Sequence, residues 1–402
     1  MKIIVPFSYY HPEQCAGIFV VDDMTHEAAK RGVESYITVP TPTRNVKPGA
    51  HWSKKETLCN GLVQIRRFRM FGEGKNPILR ALRYFLCEVL QLHYMLWLDY
   101  DVAFIDSTPP IQGLKLPIIH FFRHKPIVYN AQDLFPETMD ATGLAKRNGF
   151  LWRIGIWISN VTFKYSDKII AISNDIKCSM INRGVPPEKI EVVYNWVDEK
   201  AIHPVAKEDN PLFEEFGITR EMFTIVYAGN LGNAQNVSIV LEAAKKLPQV
   251  QFALFGSGGL ENAIRSRIKD ENLINVHLNP LQPIEKVSYV YSLGDACVVA
   301  CKKGVGGSAM PSKSWSIMSC GRPVVASFDE GELKDILEKY ECGVFSHAEN
   351  VSEFVNAIDS LASDPKRCSK MGMNARHYIL NNLTKEIGAN RYVDIITSVT
   401  NK

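Results

Sequence analysis

Two successive series of short β-branched runs, each run followed by a helix-length interval, constrain this chain more than any other feature. The first series reads MKIIVPFS (1–8), ESYITVP (34–40), DVAFID (101–106), PIVYNA (126–131), KIIAIS (168–173) and KIEVVYN (189–195). The second reads FTIVYAG (223–229), QFALFG (251–256), INVHLN (274–279), ACVVAC (296–301) and PVVAS (323–327). Strands recurring at this spacing, with helices between them, build parallel sheets covered by helices. Between the two series, residues 196–222 lose strand character and gather Pro204, Pro211 and several charges, which marks a crossing between domains. The expected architecture is α/β, with two Rossmann-like domains at 1–200 and 201–380. A C-terminal helix at 381–402 has no strand to follow it and is free to cross back to the first domain. A chain of 402 residues is long enough to bury both cores.

The opening MKIIVPFSYY is strand-like and lacks the basic, apolar and small-residue succession of a cleavable leader. No run reaches the roughly 20 apolar residues of a membrane span, so a cytoplasmic location is expected. Nine cysteines are scattered without a CxxC pair, which argues against disulfides and a zinc site. Residues 1–200 carry 25 Lys+Arg against 20 Asp+Glu, and residues 201–402 carry 21 against 23. That surplus is too diffuse for a nucleic-acid footprint and suits a surface approaching anionic lipid or a phosphorylated acceptor.

In doubly wound sheets ligands bind beyond the carboxyl ends of the strands, where backbone N–H groups meet phosphate. The second half offers three glycine-bearing exits. They are Gly229-Asn230-Leu231-Gly232-Asn233, Gly256-Ser257-Gly258-Gly259, and Lys302-Lys303-Gly304-Val305-Gly306-Gly307-Ser308, the last leading to Pro311-Ser312-Lys313. One glycine after a strand is usually a tight turn; three such exits suggest a diphosphate cradle. Pro311 is placed to open a helix, with Ser312 and Lys313 in its first turn and Gly321 at its end. A lysine in a first turn opposes the helix dipole, which makes sense where an anion binds. In the first half, Asp133 and Glu137 of QDLFPE leave a strand together. Asp133 is expected either at the reaction centre, taking a proton or stabilising a cationic transition state, or as a helix cap. His11 and Glu13 are further acceptor-side candidates, with Glu137.

The pattern PSKxxxxMxxGRPVVA (311–326), with YAGNLG, LFGSG, VYNWVD (193–198) and the loop from Tyr10 to Gly17, resembles the family 4 retaining glycosyltransferases of the GT-B fold. AQDLFPET (131–138) and GNLGNAQN (229–236) are most similar to O-antigen and capsule enzymes that include WbuB-like L-fucosamine (FucNAc) transferases. The resemblance covers essentially the whole chain. It implies a nucleotide-sugar cleft between two domains, a UDP-sugar donor, no metal or other cofactor, and transfer with retention. It also implies a polyprenyl-diphosphate-linked glycan acceptor at the inner membrane surface, and a peripheral enzyme there. By position, Gly17 would approach the donor phosphate, Ser312 and Lys313 would meet the diphosphate, and 277–282, with Leu281, would border the base. The chain departs from the family in two places. Asn230 and Gln235 stand where many members have Arg and Lys, and Ser308 and Ser316 stand where they have two glutamates. Lys313, aided by Lys302 or Lys303, is then expected to balance the departing diphosphate. Two stretches, 78–98 and 146–163, mix aromatic, aliphatic and basic residues, as interfacial helices and ordinary sheet-covering helices both do. A UDP-sugar 2-epimerase and a catalytically silent scaffold remain as alternatives; a GxGxxG-type oxidoreductase is disfavoured because SYYHPEQCAG lacks that motif.

Overall fold

The computed structural model describes residues 1–400 apart from 14, 16, 44, 45, 47, 48, 73, 75, 138–145 and 307–309. Two compact units emerge. The first comprises Met1–Tyr194 and Glu386–Lys402, and the second Asn195–Lys385.

The first unit is built on an eight-stranded sheet. Its strands are β1 (Lys2–Pro6), β2 (Glu34–Pro40), β3 (Lys55–Leu58), β4 (Val63–Phe68), β5 (Val102–Asp106), β6 (Ile127–Ala131), β7 (Lys168–Ala171) and β8 (Ile190–Val192). They lie in the order β3-β4-β2-β1-β5-β6-β7-β8, parallel except for the β3–β4 pair. β1, β5 and β6 are almost wholly buried apolar residues, as expected of strands covered on both faces. The hydrophobic runs of the sequence do not reveal β3 and β4. β4 carries two adjacent arginines, and Arg67 is buried because its guanidinium donates to the carbonyls of Ser53 (2.8 Å) and His11 (2.7 Å) and pairs with Glu56. A charge that pattern reading assigns to solvent is here an interior strut.

The second unit has six parallel strands: β9 (Thr224–Asn230), β10 (Gln251–Ser257), β11 (Val276–Asn279), β12 (Ala296–Ala300), β13 (Val324–Phe328) and β14 (Gly343–His347), in the order β11-β10-β9-β12-β13-β14. β14, Gly-Val-Phe-Ser-His, is another strand absent from the expected series; it lies at the sheet edge and is only partly buried. Helix Pro365–Asn382 ends at Leu383, Thr384 makes a bridge to Val197, and a separate helix, Lys385–Ser398, returns to the first unit. The division between the units therefore falls after Lys385, later than the expected start of the returning helix at 381.

The returning helix buries Ala389, Tyr392, Val393, Ile395 and Ile396, and Arg31 holds Asp394 at 2.6 Å. At about 1.5–3 kcal/mol for each large apolar side chain, this burial rivals the whole stability of an ordinary domain. A chain ending at Lys385 should therefore lose the cooperative unfolding transition of the first unit while keeping that of the second. Calorimetry checks this, and two unchanged transitions would refute it.

Candidate functional site

In the second unit, Lys313 is the first residue of helix Lys313–Ser319, with Ser312 as an N-cap whose side chain makes no capping bond. The helix thus starts two residues beyond Pro311, and Gly321 ends it with φ +66°. The Lys313 ammonium reaches across to the β9 exit and lies 5.2 Å from the Tyr227 ring centroid. Gly229 makes room for it: φ there is +144°, and a Cβ would fall 1.9 Å from Lys313 Nζ. Burial lowers the Lys313 pKa, and among the described residues no carboxylate pairs with it. A half-buried cation without a counter-charge is costly, and the arrangement makes sense where an anion supplies the missing charge. Beside it lies an apolar cavity of about 310 Å³. Gly229, Phe255, Leu281, Ile284 and Tyr291 line it together with Lys313.

The other exits differ from the expected cradle. A Cβ on Gly256 would meet Gly229 O at 2.4 Å, and one on Gly258 would meet Asn230 Oδ1 and Leu231 O at 2.6 Å. These two glycines let the β9 and β10 exits pack on each other. Gly232 likewise accommodates Asn230 and Gln235, whose side chains hydrogen-bond at 3.2 Å. Asn233 starts the short turn Asn233–Gln235, and Ser257, exposed at the end of β10, accepts the Leu231 amide through its carbonyl. At the third exit, the amides of Gly304 and Gly306 donate to the Asp329 carboxylate at 3.0 and 2.8 Å, so those donors are already engaged by the protein. Lys302 ties the β12 exit to the turn Asn233–Gln235 through its backbone, donating to Ala234 O, and Lys303 lines a separate cavity with Asp329, Glu330 and His347. Neither lines the Lys313 cavity. Ser316 is half-buried one turn along the helix, while Ser308 lies outside the described residues.

In the first unit, Asp133 follows β6. Its amide and that of Gln132 both point at Ser107 Oγ, at 3.3 and 3.2 Å. The half-buried Asp133 carboxylate accepts no bond among the described residues, so it acts as no cap among them, and burial raises its pKa. Beneath it lies a buried polar cluster that the sequence pattern does not reveal: Asp106, Asn130 and Tyr392. Asn130 Nδ2 donates to Asp106 Oδ1 at 2.8 Å, and Tyr392 donates to Asn130 Oδ1 at 2.9 Å. Desolvation pushes Asp106 up to about 7, with nearby Asp133 adding to the effect. Asp106 ends an apolar run, and Tyr392 lies on a distant helix, so only the polar strand end at Asp106 and Asn130 hinted at the cluster.

The acceptor-side candidates are more committed to structure than expected. Glu13 is buried and receives the amides of Thr43 (2.8 Å) and Tyr10 (3.3 Å), so it latches two loops together. Glu137 is paired with Arg183, which also donates to Phe135 O. His11 is exposed and bonds Asp22 at 2.6 Å, a contact that raises its pKa. Gly17 is the N-cap of helix Ile18–Lys30, where a Cβ would sit 3.3 Å from the Phe7 ring.

Three neighbouring helices of this unit, Pro77–Trp97, Lys115–Arg123 and Phe150–Tyr165, expose large apolar side chains. Ile78 (77%), Trp97 (77%), Phe122 (75%) and Phe150 (78%) are the most exposed, joined by Phe121 and Trp157. The middle helix was not singled out in the sequence. The three helices contain one carboxylate, Glu88, and it is buried against Lys115 at 2.6 Å. No helix among the described residues is long and apolar enough to cross a membrane.

The pH dependence of the buried cluster has a definite sign. A carboxyl whose folded pKa is raised stabilises the fold fully below its unfolded pKa near ~3.9, and that contribution is lost as pH rises through about 7. The Asp106 contribution should therefore decline from pH ~4 to ~7, so stability should fall more steeply, or rise less, with pH in the parent than in Asp106→Asn. Denaturant midpoints across that range test this; equal slopes in parent and variant would refute it.

Residues 19–201 match the family model Glycosyltransferase Family 4, and residues 209–378 match Glycosyl transferases group 1. A probable glycosyltransferase WbjE of Pseudomonas aeruginosa is 22% identical over 60% of this chain; the match spans 61% of that relative's length. An N-acetylgalactosamine-N,N'-diacetylbacillosaminyl-diphospho-undecaprenol 4-alpha-N-acetylgalactosaminyltransferase of Campylobacter jejuni is 19% identical over 88% of this chain and 91% of its own. The crystal structure of Anabaena Alr3699/HepE in complex with UDP superposes with a TM-score of 0.75 at 15% identity, covering 99% of this chain and 100% of that one. That likeness carries the fold, and the two matched models together take in most of the sequence. With two Rossmann-like units of GT-B type, the chain belongs to the family 4 glycosyltransferases.

Proposed function

We propose that the chain is a retaining, metal-independent glycosyltransferase. It moves a sugar, an N-acetylated amino sugar such as L-FucNAc, from a UDP-sugar to a polyprenyl-diphosphate-linked glycan in O-antigen or capsule synthesis. The observation that carries this reading is the Lys313 ammonium, half-buried over Gly229 with no carboxylate partner among the described residues. A diphosphate at the β9 exit would neutralise it. The apolar cavity beside it, bordered by Leu281 and Phe255, suits a base. The UDP bound to the Anabaena protein and the undecaprenol-linked substrate named for the Campylobacter relative agree with a donor and an acceptor of these classes.

In the reaction the bond from the anomeric carbon to the diphosphate breaks, and a bond to the acceptor oxygen forms on the same face. Lys313 offsets the charge that grows on the departing diphosphate, a term that a dry site makes large. Asp133, whose carboxylate has no hydrogen-bond partner among the described residues, takes the acceptor proton as the new bond forms, or faces the positive charge that develops on the sugar while the departing diphosphate takes that proton. The exposed aromatic and aliphatic side chains of helices Pro77–Trp97, Lys115–Arg123 and Phe150–Tyr165, which also carry exposed Arg80 and Arg153 and no exposed carboxylate, suit the inner leaflet of the plasma membrane, where a lipid-linked acceptor resides.

Thermal shift without metal, comparing UDP, GDP, UMP and NAD, tests the donor assignment. UDP at ~100 times its Kd should add about 2.7 kcal/mol. Lys313→Ala should weaken UDP far more than UMP and lower turnover by roughly 10²–10³. No nucleotide response from folded protein, or an unimpaired Lys313→Ala, would overturn the reading.

For the surface, sedimentation with vesicles of phosphatidylglycerol and phosphatidylethanolamine should capture the parent, and Phe122→Ser with Phe150→Ser should cut capture by about tenfold or more, given roughly 1.5–3 kcal/mol per buried aromatic. Equal capture of parent and double variant would argue against this face.

A further inference from the structure

Asp133 stands on an exit that is held from two directions. From below, Ser107 Oγ accepts the amides of both Gln132 and Asp133. From the side, the Gln132 carboxamide donates to Tyr392 Oη at 3.2 Å and to Asn130 Oδ1 at 3.1 Å. Tyr392 Oη itself donates to Asn130 Oδ1 at 2.9 Å, and Asn130 spends its own amide hydrogen on Asp106. The three side chains close a triangle, and Tyr392 is fully buried within it.

A tyrosine here needs an explanation. Its ring packs against Phe104 with centroids 6.1 Å apart, a role that phenylalanine would fill equally well. The hydroxyl adds nothing to that packing, and burying it without partners would cost about 1–3 kcal/mol. It bonds residues of β6 and its exit, the segment that presents Asp133. The helix carrying Tyr392 is itself tied down two residues later, where Asp394 meets Arg31. A rigid anchor, a short hydrogen-bonded bridge and a carboxylate with no partner among the described residues then follow one another in space.

We infer that Tyr392 is a positioning residue for the reaction centre: delivered by the C-terminal helix, its hydroxyl clamps Asn130 and Gln132 and so holds the exit that carries Asp133. The importance of this clamp for catalysis rests on the role given to Asp133 above; the clamp itself does not. Raised pKa values at Asp106 and Asp133 agree with an exit kept closed against water.

The test uses the full chain and needs no substrate. In Tyr392→Phe, amide exchange in peptides covering 130–135 should speed up about tenfold, the equivalent of ~1.4 kcal/mol for the lost bonds, while peptides from β2 and β7 keep the parent rates. The Asp133 carboxyl resonance, identified with Asp133→Asn in carboxyl-labelled protein, should titrate closer to the ordinary ~3.9 as water reaches it. Phe104→Leu loosens packing on the same ring while keeping the hydroxyl; it should lower the melting temperature and move neither readout. Exchange within twofold of the parent in Tyr392→Phe, or the same acceleration in Phe104→Leu, would overturn the inference. An active Asp133→Asn would overturn the catalytic role of Asp133 and leave the clamp standing, so the two failures are distinguishable.

Discussion

A lysine side chain laid over the backbone of Gly229 is the contact around which the β9 exit of the second unit is arranged. A parallel strand ends with its carbonyl groups and the next helix amides near one another, which makes its exit polar whatever the sequence. What this chain adds is a single ammonium, half removed from water and facing no carboxylate among the described residues. Such a charge is tolerated only where its energy is recovered by a partner. Gly229 is the enabling residue, since any side chain there would occupy the space of the ammonium. Asn230 and Gln235 bring no charge to this exit. Here those two amides bond each other, and the positive charge arrives instead from the helix across the exit.

The first unit answers the same problem with buried polarity. Its sheet brings Asp106 and Asn130 to adjacent strand ends, and neither can be left unbonded in an apolar interior. The returning helix supplies Tyr392 to complete the set, so the element that locks the fold of this unit also completes the bonding beneath Asp133. Stability and the placement of the candidate reaction centre thus depend on the same dozen or so residues near the end of the chain.

Several glycines changed meaning once their surroundings were known. Gly256 and Gly258 looked like ligand-facing turns, yet the space a side chain would need is filled by Leu231, Asn230 and the Gly229 carbonyl. Gly304 and Gly306 looked like phosphate donors, yet Asp329 already accepts their amides. Sequence patterns mark a glycine as a position without room for a side chain. They are silent on what takes the room, because that depends on residues far away along the chain. Glu13 and Glu137 show the same limit from the polar side: each looked available, and each is spent on an interior bond.

The sequence by itself determined the two-sheet α/β plan and most of the strands, and it singled out Lys313, Gly229 and Asp133 as candidates. These features are local: an apolar run of strand length, a glycine after it, a lysine misplaced against a helix dipole. Tertiary structure decided the rest. It buried Arg67 in a strand that pattern reading passes over, gave Lys313 its position over Gly229, and brought Tyr392 to Asn130 across 262 positions of sequence. Hydrophobic periodicity has a short reach along the chain, whereas a buried polar group is satisfied by whichever partner the folded topology places within about 3 Å.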